Sequence, residues 1–141
     1  MESKFYGKFW GVRGSTPVFN EKSIRYGGNT TCVQLKSDSI DEDTFLIIDA
    51  GTGIVPLGKE INAYAVKNQR KVKVIILFTH YHTDHIIGLP LAPFVFNKKW
   101  VEIILIGPED KGYGPKEMIE TIMAPPFFPV DHAYVASHFQ Y

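Results

Sequence analysis

Residues 72–85 read Val72-Lys73-Val74-Ile75-Ile76-Leu77-Phe78-Thr79-His80-Tyr81-His82-Thr83-Asp84-His85. The first seven residues are almost all apolar and rich in β-branched side chains, which predicts a short strand. Because Val and Ile occupy consecutive positions, the pattern is typical of a strand that is covered on both faces. A polar cluster follows directly, so we expect it to lie in a loop at the carboxyl end of this strand.

The polar cluster contains four potential metal ligands within six positions, His80, His82, Asp84 and His85. On an extended backbone, residues two apart project to the same side, so His80 and His82 can hold one ion while a turn directs Asp84 and His85 toward a second. The alternative is a polar surface loop with no ligand. Three of the chain's five histidines lie in this segment, which favours the metal site.

Upstream of this stretch, hydrophobic periodicity and turn residues predict four further elements. Alternation of apolar and polar residues indicates strands, and apolar residues at intervals of three and four indicate a helix. We expect a first strand at 4–10, an antiparallel hairpin of strands at 30–35 and 44–48, and a helix from Ile54 to about Asn68, preceded by the turn Asp49-Ala50-Gly51-Thr52-Gly53.

Downstream, apolar runs alternate with Gly and Pro clusters. The pattern predicts a short broken helix from Gly88 through Phe96, a buried strand at 101–106, a helix from Pro115 to about Met123, and a last strand at 133–137. Strands followed by helices in this order predict an α/β fold, a mixed β-sheet with helices packed on it.

Composition limits the class of protein. A length of 141 residues predicts a single domain, residues 1–141. The 15 basic and 15 acidic residues balance, so the net charge does not favour binding to nucleic acid or to an anionic membrane.

The single cysteine, Cys32, excludes an intramolecular disulfide framework and cysteine-based zinc modules, and we expect it to be a buried, inert thiol. No apolar run approaches the ~18 residues of a membrane span. We therefore expect a cytoplasmic protein whose metal chemistry depends on His and carboxylate ligands.

The segment from His80 to His85 resembles the His-x-His-x-Asp-His motif of the metallo-β-lactamase superfamily. The upstream hairpin, the Asp49-x-Gly51 turn, the helix and the strand before the motif follow in the order of that family. Two further segments, Gly11-Val12-Arg13-Gly14-Ser15-Thr16-Pro17 and Tyr26-Gly27-Gly28-Asn29-Thr30, resemble its phosphodiesterase and ribonuclease Z-like branch.

The resemblance implies an αββα sandwich of two similar halves with a dinuclear zinc site, for which manganese or iron are alternatives. His80 and His82 would then ligate the first ion, and Asp84 and His85 the second, with Asp84 also orienting the attacking water. This sequence matches only the first half, and the remaining family ligands belong to the second. His138 stays open as a third ligand, against a core or surface histidine.

Other polar and aromatic residues have two interpretations each. Asp49 either braces the ligand loop or caps its own turn. Arg13 either meets a substrate phosphate or lies at the surface, and turn chemistry is favoured for Asn29. A group of aromatic residues either lines a substrate mouth or packs in a core or an exposed patch: Phe94, Phe96, Trp100, Phe127 and Phe128.

Two functions follow. The first is a metal-dependent hydrolase acting on phosphodiesters, whose dinuclear site this chain supplies incompletely, since a catalytic zinc normally has three protein ligands. The second is a catalytically inactive half-fold that serves as a dimerising or interaction module. In both cases we expect a homodimer, because half of a two-sheet sandwich leaves an apolar face in water.

Overall fold

The computed structural model describes residues 4–141, which form one six-stranded mixed sheet with helices. The strands are β1 (Phe5–Gly11), β2 (Cys32–Ser37), β3 (Thr44–Ile48), β4 (Val72–Leu77), β5 (Val101–Ile106) and β6 (Phe139–Gln140). The α-helices are α1 (Ile54–Asn68), α2 (Thr83–Ile86) and α3 (Pro115–Ile122). Short 3₁₀ turns lie at Glu21–Ser23, Leu89–Leu91, Pro93–Phe96, His132–Tyr134 and Ala136–His138.

The strands lie side by side in chain order. β1, β2 and β3 are antiparallel neighbours, and β3 to β6 are parallel. The predicted hairpin, first helix, broken helix and mixed α/β sheet are confirmed. In the parallel part every connection returns the chain to the same end, so the carboxyl ends of β3, β4 and β5 share one edge of the sheet.

The hydrophobic core lies on one face of the sheet. In β4 the side chains of Val72, Val74 and Ile76 are buried, and they alternate with an exposed Lys73 and with partly exposed neighbours. Helices α1 and α3 and the 3₁₀ turns contribute the other side of this core, including Leu57, Ile61, Leu89, Phe94, Met118 and Ile119. The prediction that β4 is covered on both faces is therefore wrong for residues 4–141, because the packed helices cover only one face.

The predicted strand at residues 133–137 is also wrong. The segment forms two 3₁₀ turns, and the last strand, β6, begins only at Phe139. The side chain of Asp131 accepts a hydrogen bond from the Ala133 amide at 2.8 Å, and the amide of Val135 donates to the carbonyl of His132 at 2.9 Å. These local bonds use backbone groups that a strand would need for its neighbour, which is why short polar residues favour turns.

The longest helix, α1, has 15 residues, and within residues 4–141 no helix has the length and apolarity to span a bilayer.

Candidate metal centre

The predicted ligands lie at the carboxyl end of β4, where the chain turns from the sheet into α2. His80 and His82 precede the helix, and Asp84 and His85 lie within its single turn. His82 is the residue before the helix and keeps an extended backbone. The change from extended to helical backbone turns the later side chains back toward the earlier ones, so one short segment brings four polar groups together.

Three imidazole rings form a cluster at this strand end. The ring centroid of His80 lies 4.4 Å from that of His82 and 4.1 Å from that of His85. A carboxylate oxygen of Asp84 lies 3.3 Å from Nε2 of His85. The structure thus places all four predicted ligands beside one another.

Asp49 fixes the orientation of His85 from beneath. Its side chain is buried, and its Oδ2 lies 2.7 Å from Nδ1 of His85. The same carboxylate accepts hydrogen bonds from the Thr79 amide at 2.8 Å and from the Thr79 hydroxyl at 2.9 and 3.0 Å. Asp49 has a φ of 57°, a left-handed conformation that Asp and Asn tolerate better than most residues. Of the two interpretations of Asp49, the geometry favours the brace.

Thr79 extends this arrangement to His80. Its hydroxyl lies 3.0 Å from Nδ1 of His80. Because the hydroxyl proton is directed to Asp49, the oxygen accepts from His80, which places the proton of that imidazole on Nδ1. Nδ1 of His85 likewise faces Asp49, so both rings use Nδ1 for these contacts, and Nε2 of His85 lies 3.3 Å from a carboxylate oxygen of Asp84. Hydrogen bonding of one ring nitrogen while the other binds a metal is the usual arrangement of histidine ligands.

Asp84 is held by a distant loop. The backbone amide of Ser15 donates to Oδ2 of Asp84 at 2.8 Å, and this bond is the main reason that the pKa of Asp84 lies below its ordinary value. Ser15 has a φ of 63°, so the loop adopts a left-handed turn at the contact. An ionised carboxylate beside three imidazoles forms a better binding site for a cation than for an anion. Neither Thr79 nor Ser15 was predicted as a site residue from sequence, although the place of Thr79 between the strand and the motif is a signal for it.

Backbone contacts hold the 49–51 turn against the ligand segment. The Ala50 amide donates to the carbonyl of His85 at 2.6 Å, and the Gly88 amide donates to the carbonyl of Ala50 at 3.0 Å. Gly51 lies so close that a Cβ there would stand 2.2 Å from the carbonyl oxygen of Asp84 and 2.4 Å from Oγ1 of Thr30. The ligand segment and the turn therefore pack backbone against backbone.

We expect Gly51→Ala to destabilise the fold by about 3 kcal/mol, because a methyl group cannot enter a backbone contact without moving the ligand segment. Gly14→Ala is the matched control, since no atom lies within 4 Å of the added Cβ. Urea unfolding of both variants measures the difference. Equal stability of the two variants would show that the 49–51 turn does not pack against the ligand segment as described.

His138 lies far from the ligand cluster. His138 precedes β6, which pairs with β5 at Ile103, and Ile103 pairs with Val74 near the start of β4. At ~3.3 Å per strand residue, His138 is more than ~15 Å from His80. Both His132 and His138 are buried, and burial lowers the pKa of each. His138 is therefore a core histidine and not a third ligand within this chain.

The remaining polar candidates have structural partners. Nε of Arg13 donates to the carbonyl of Gly27 at 2.9 Å. Asn29 accepts the amides of Val12 and Arg13 and the hydroxyl of Thr52, which confirms its role in turn structure. Cys32 is fully buried, and burial raises the pKa of its thiol to about 12. This environment confirms the prediction that Cys32 is a buried, inert thiol.

The five aromatic residues divide between core and surface. Phe94 is fully buried, and Trp100 and Phe128 pack against the core. Phe127 is 86% exposed and, with Phe128, lines an apolar cavity of about 340 Å³ that reaches Thr83 of the ligand segment. Only these last two aromatics thus adjoin the candidate centre.

The donor set fits a divalent metal in part. Imidazole nitrogens and a carboxylate are ligands that zinc, manganese and iron accept. Within residues 4–141, however, no group of three or more His, Cys, Asp or Glu side chains is arranged to hold an ion. The assignment of His80 with His82 and of Asp84 with His85 stays a prediction, and each pair leaves a catalytic coordination shell short of one protein ligand.

Comparison with known proteins gives one match. Residues 25–136, most of the 141-residue chain, match the family model described as the metallo-beta-lactamase superfamily. Neither the curated proteins nor the solved structures contain a match to the chain. The matched segment includes β2 to α3 and the whole ligand segment.

Proposed function

Because the chain belongs to the metallo-β-lactamase superfamily, we propose that it is the metal-binding half of a metal-dependent hydrolase that acts on phosphodiesters. The mixed α/β sheet is consistent with one half of that fold. The observation that carries the proposal is the contact of buried Asp49 with His85, together with its link through Thr79 to His80. These contacts use buried polar groups to orient imidazoles, and the packing of the sheet and helices does not require such contacts.

The phosphodiester specificity is supported by the loops around the cluster. The two segments that resemble the phosphodiesterase branch lie together, since Arg13 and Thr30 form a bridge and the Arg13 amide donates to Asn29. The first of them also supplies the Ser15 amide to Asp84. A cationic guanidinium thus belongs to the loop that contacts the ligand segment, and guanidinium groups suit phosphate oxygens.

A divalent cation bound here would lower the pKa of a coordinated water and stabilise negative charge that develops on a phosphoryl oxygen. His80 and His82 would hold one ion, and His85 and Asp84 a second. Asp84, whose pKa is lowered chiefly by the Ser15 amide, remains ionised and can orient the attacking water. Asp49 and Thr79 act through the histidines and are positioning residues.

A second function is favoured by one specific observation, the absence of a three-ligand group in residues 4–141. A chain with paired ligands and no complete shell could act as an inactive interaction module that retains weak metal affinity. The two functions differ in whether any metal-dependent hydrolysis depends on Asp84.

We expect the chain loaded with zinc or manganese to hydrolyse bis(p-nitrophenyl) phosphate only slowly, because each ion lacks a third protein ligand. The metal-dependent rate enhancement over the uncatalysed reaction should exceed the enhancement for p-nitrophenyl acetate and should disappear in Asp84→Ala. Release of p-nitrophenolate with and without chelator measures it, and bound metal is determined on the same samples.

The control is Asp110→Ala, an exposed acidic residue in a surface turn, which should keep the wild-type rate. A metal-dependent rate that Asp84→Ala leaves unchanged would contradict the hydrolase and favour the interaction module. A larger rate enhancement over the uncatalysed reaction for the acetate ester would contradict the phosphodiester specificity alone.

A further inference from the structure

His82 differs from the other two histidines of the ligand segment in what holds its ring. Nδ1 of His80 faces the Thr79 hydroxyl, and Nδ1 of His85 faces Asp49. The side chain of His82 is exposed and makes no hydrogen bond within residues 4–141. Its ring is therefore placed by the backbone that carries it and by its contact with the ring of His80, with centroids 4.4 Å apart.

Tyr81 anchors this backbone from the opposite side. Its hydroxyl donates at 2.5 Å to the carbonyl of Pro108, in the loop that follows β5. Its ring contacts those of Phe78 and Tyr113, with centroids 5.8 and 6.1 Å apart. Successive side chains of an extended chain point to opposite sides, and the backbone at His82 is extended. A Tyr81 ring that is fixed toward the β5 loop therefore directs the histidines on either side of it away from that loop.

The chain after β5 is shaped to receive this phenol. The amide of Phe78 donates to the carbonyl of Ile106 at 2.7 Å, which extends the contact of β4 with β5 by one residue. Gly107 follows, and a Cβ there would lie 2.6 Å from the hydroxyl oxygen of Tyr81. Proline fixes the φ angle of the accepting residue, Pro108. The hydroxyl thus bonds to a closely packed stretch of chain with little conformational freedom.

We propose that Tyr81 is a positioning residue of the candidate metal centre, whose hydrogen bond to Pro108 holds the backbone between His80 and His82 so that both imidazoles face one ion. This inference rests on the proposed metal-binding function and identifies the residue that places its least supported ligand. The other two rings are oriented directly by hydrogen bonds at Nδ1. Tyr81 acts on His82 only through the chain, so its effect on metal binding should be specific to that ligand.

The competing explanation is that Tyr81 only packs. Removal of the hydroxyl separates the two explanations, because phenylalanine retains the ring contacts with Phe78 and Tyr113. Pro108 is exposed, so its carbonyl can bond to water in place of the hydroxyl, and the fold should lose little stability. A change in metal binding by Tyr81→Phe is then not a consequence of unfolding.

Tyr81→Phe should weaken zinc binding about 10-fold, within the range for residues that support a metal ligand without contacting the metal. Isothermal titration of the metal-free protein with zinc measures the affinity, and its urea midpoint should stay close to that of the wild type. The matched control is Tyr113→Phe, which makes the same chemical change at a hydroxyl that approaches Thr121 at 3.5 Å. The control should keep the wild-type affinity.

Long-range ¹H–¹⁵N spectra of the imidazole rings show which histidines bind zinc, through the shift of the coordinated nitrogen. In the wild type, the ring nitrogens of His80 and His82 should shift over the same range of zinc concentration. In Tyr81→Phe, the shift of His82 should need about 10-fold more zinc than the shift of His85. Gly107→Ala, which displaces the hydroxyl from the other side of the contact, should delay the His82 shift in the same way and provides the test if Tyr81→Phe does not fold.

A folded Tyr81→Phe variant with the wild-type zinc affinity, or one in which His82 still responds together with His85, would overturn the inference. So would an equal loss of affinity in Tyr113→Phe, because the loss would then not depend on the bond to Pro108. A wild-type chain that binds no zinc would overturn the inference and the proposed function together. Zinc binding that weakens in Tyr81→Phe as expected, without any hydrolysis of a phosphodiester, would overturn the proposed hydrolase alone.

Discussion

Asp49→Asn should weaken zinc or manganese binding by 10- to 100-fold and lower the free energy of unfolding by about 3 kcal/mol. The carboxylate contacts Nδ1 of His85 at 2.7 Å and both donors of Thr79. The side-chain amide of asparagine at this buried position has only one acceptor oxygen. Its NH₂ group would face an N–H or O–H donor and could not bond to it. The substitution therefore releases the orientation of His85 and breaks the link through Thr79 to His80. Isothermal titration with metal and urea unfolding of the metal-free protein measure the two effects separately.

The Asp49→Asn substitution avoids backbone strain and has one matched control. Asparagine tolerates the left-handed backbone that Asp49 adopts, so the substitution adds no backbone strain. Asp110→Asn makes the same chemical change at an exposed position and should alter neither quantity. If Asp49→Asn lost stability while its metal affinity stayed at the wild-type value, Asp49 would serve the turn alone and would not position the ligands.

The second large effect is expected from His80→Ala combined with His82→Ala. The purified wild-type chain should bind divalent metal weakly, and the double variant should lose this binding by ~100-fold or more, because it removes both ligands assigned to one ion. Stability of the metal-free protein should change little, since His82 is exposed and His80 only half-buried. Elemental analysis after dialysis against a defined metal buffer measures the retained metal.

His132→Ala is the comparison for the double variant, because it removes a buried imidazole whose ring contacts Phe139 and Tyr141. That variant should lose stability, through its buried ring and the contact of Nε2 with the Tyr141 hydroxyl, and keep its metal content. Wild-type metal content in His80→Ala/His82→Ala would show that these two residues are not ligands.

The ligand segment shows which structural features can be predicted from local sequence. The apolar run and the polar cluster that follows it were enough to predict the strand and the place of the ligand segment at the sheet edge. The predicted loop is correct only in part, because Thr83–Ile86 forms the helical turn α2. Each of these features depends on periodicity or on side-chain type within a few residues, which is the information that a single sequence carries. The contact of Ser15 with Asp84 spans 69 positions, and no local pattern indicates it.

Local sequence was therefore sufficient to predict the α/β class and the order of the strands and of helices α1 and α3. It is the three-dimensional fold that reveals the contacts of Asp49 and Thr79 with the histidines, the position of His138 at the far end of the sheet, and the turns at residues 133–137. Only the structure, too, showed that β4 is covered on one face, although its sequence is that of a strand buried on both. The physical reason is the same in each case: backbone propensity and periodicity are local, whereas hydrogen-bond partners and burial depend on which distant segments the fold brings together.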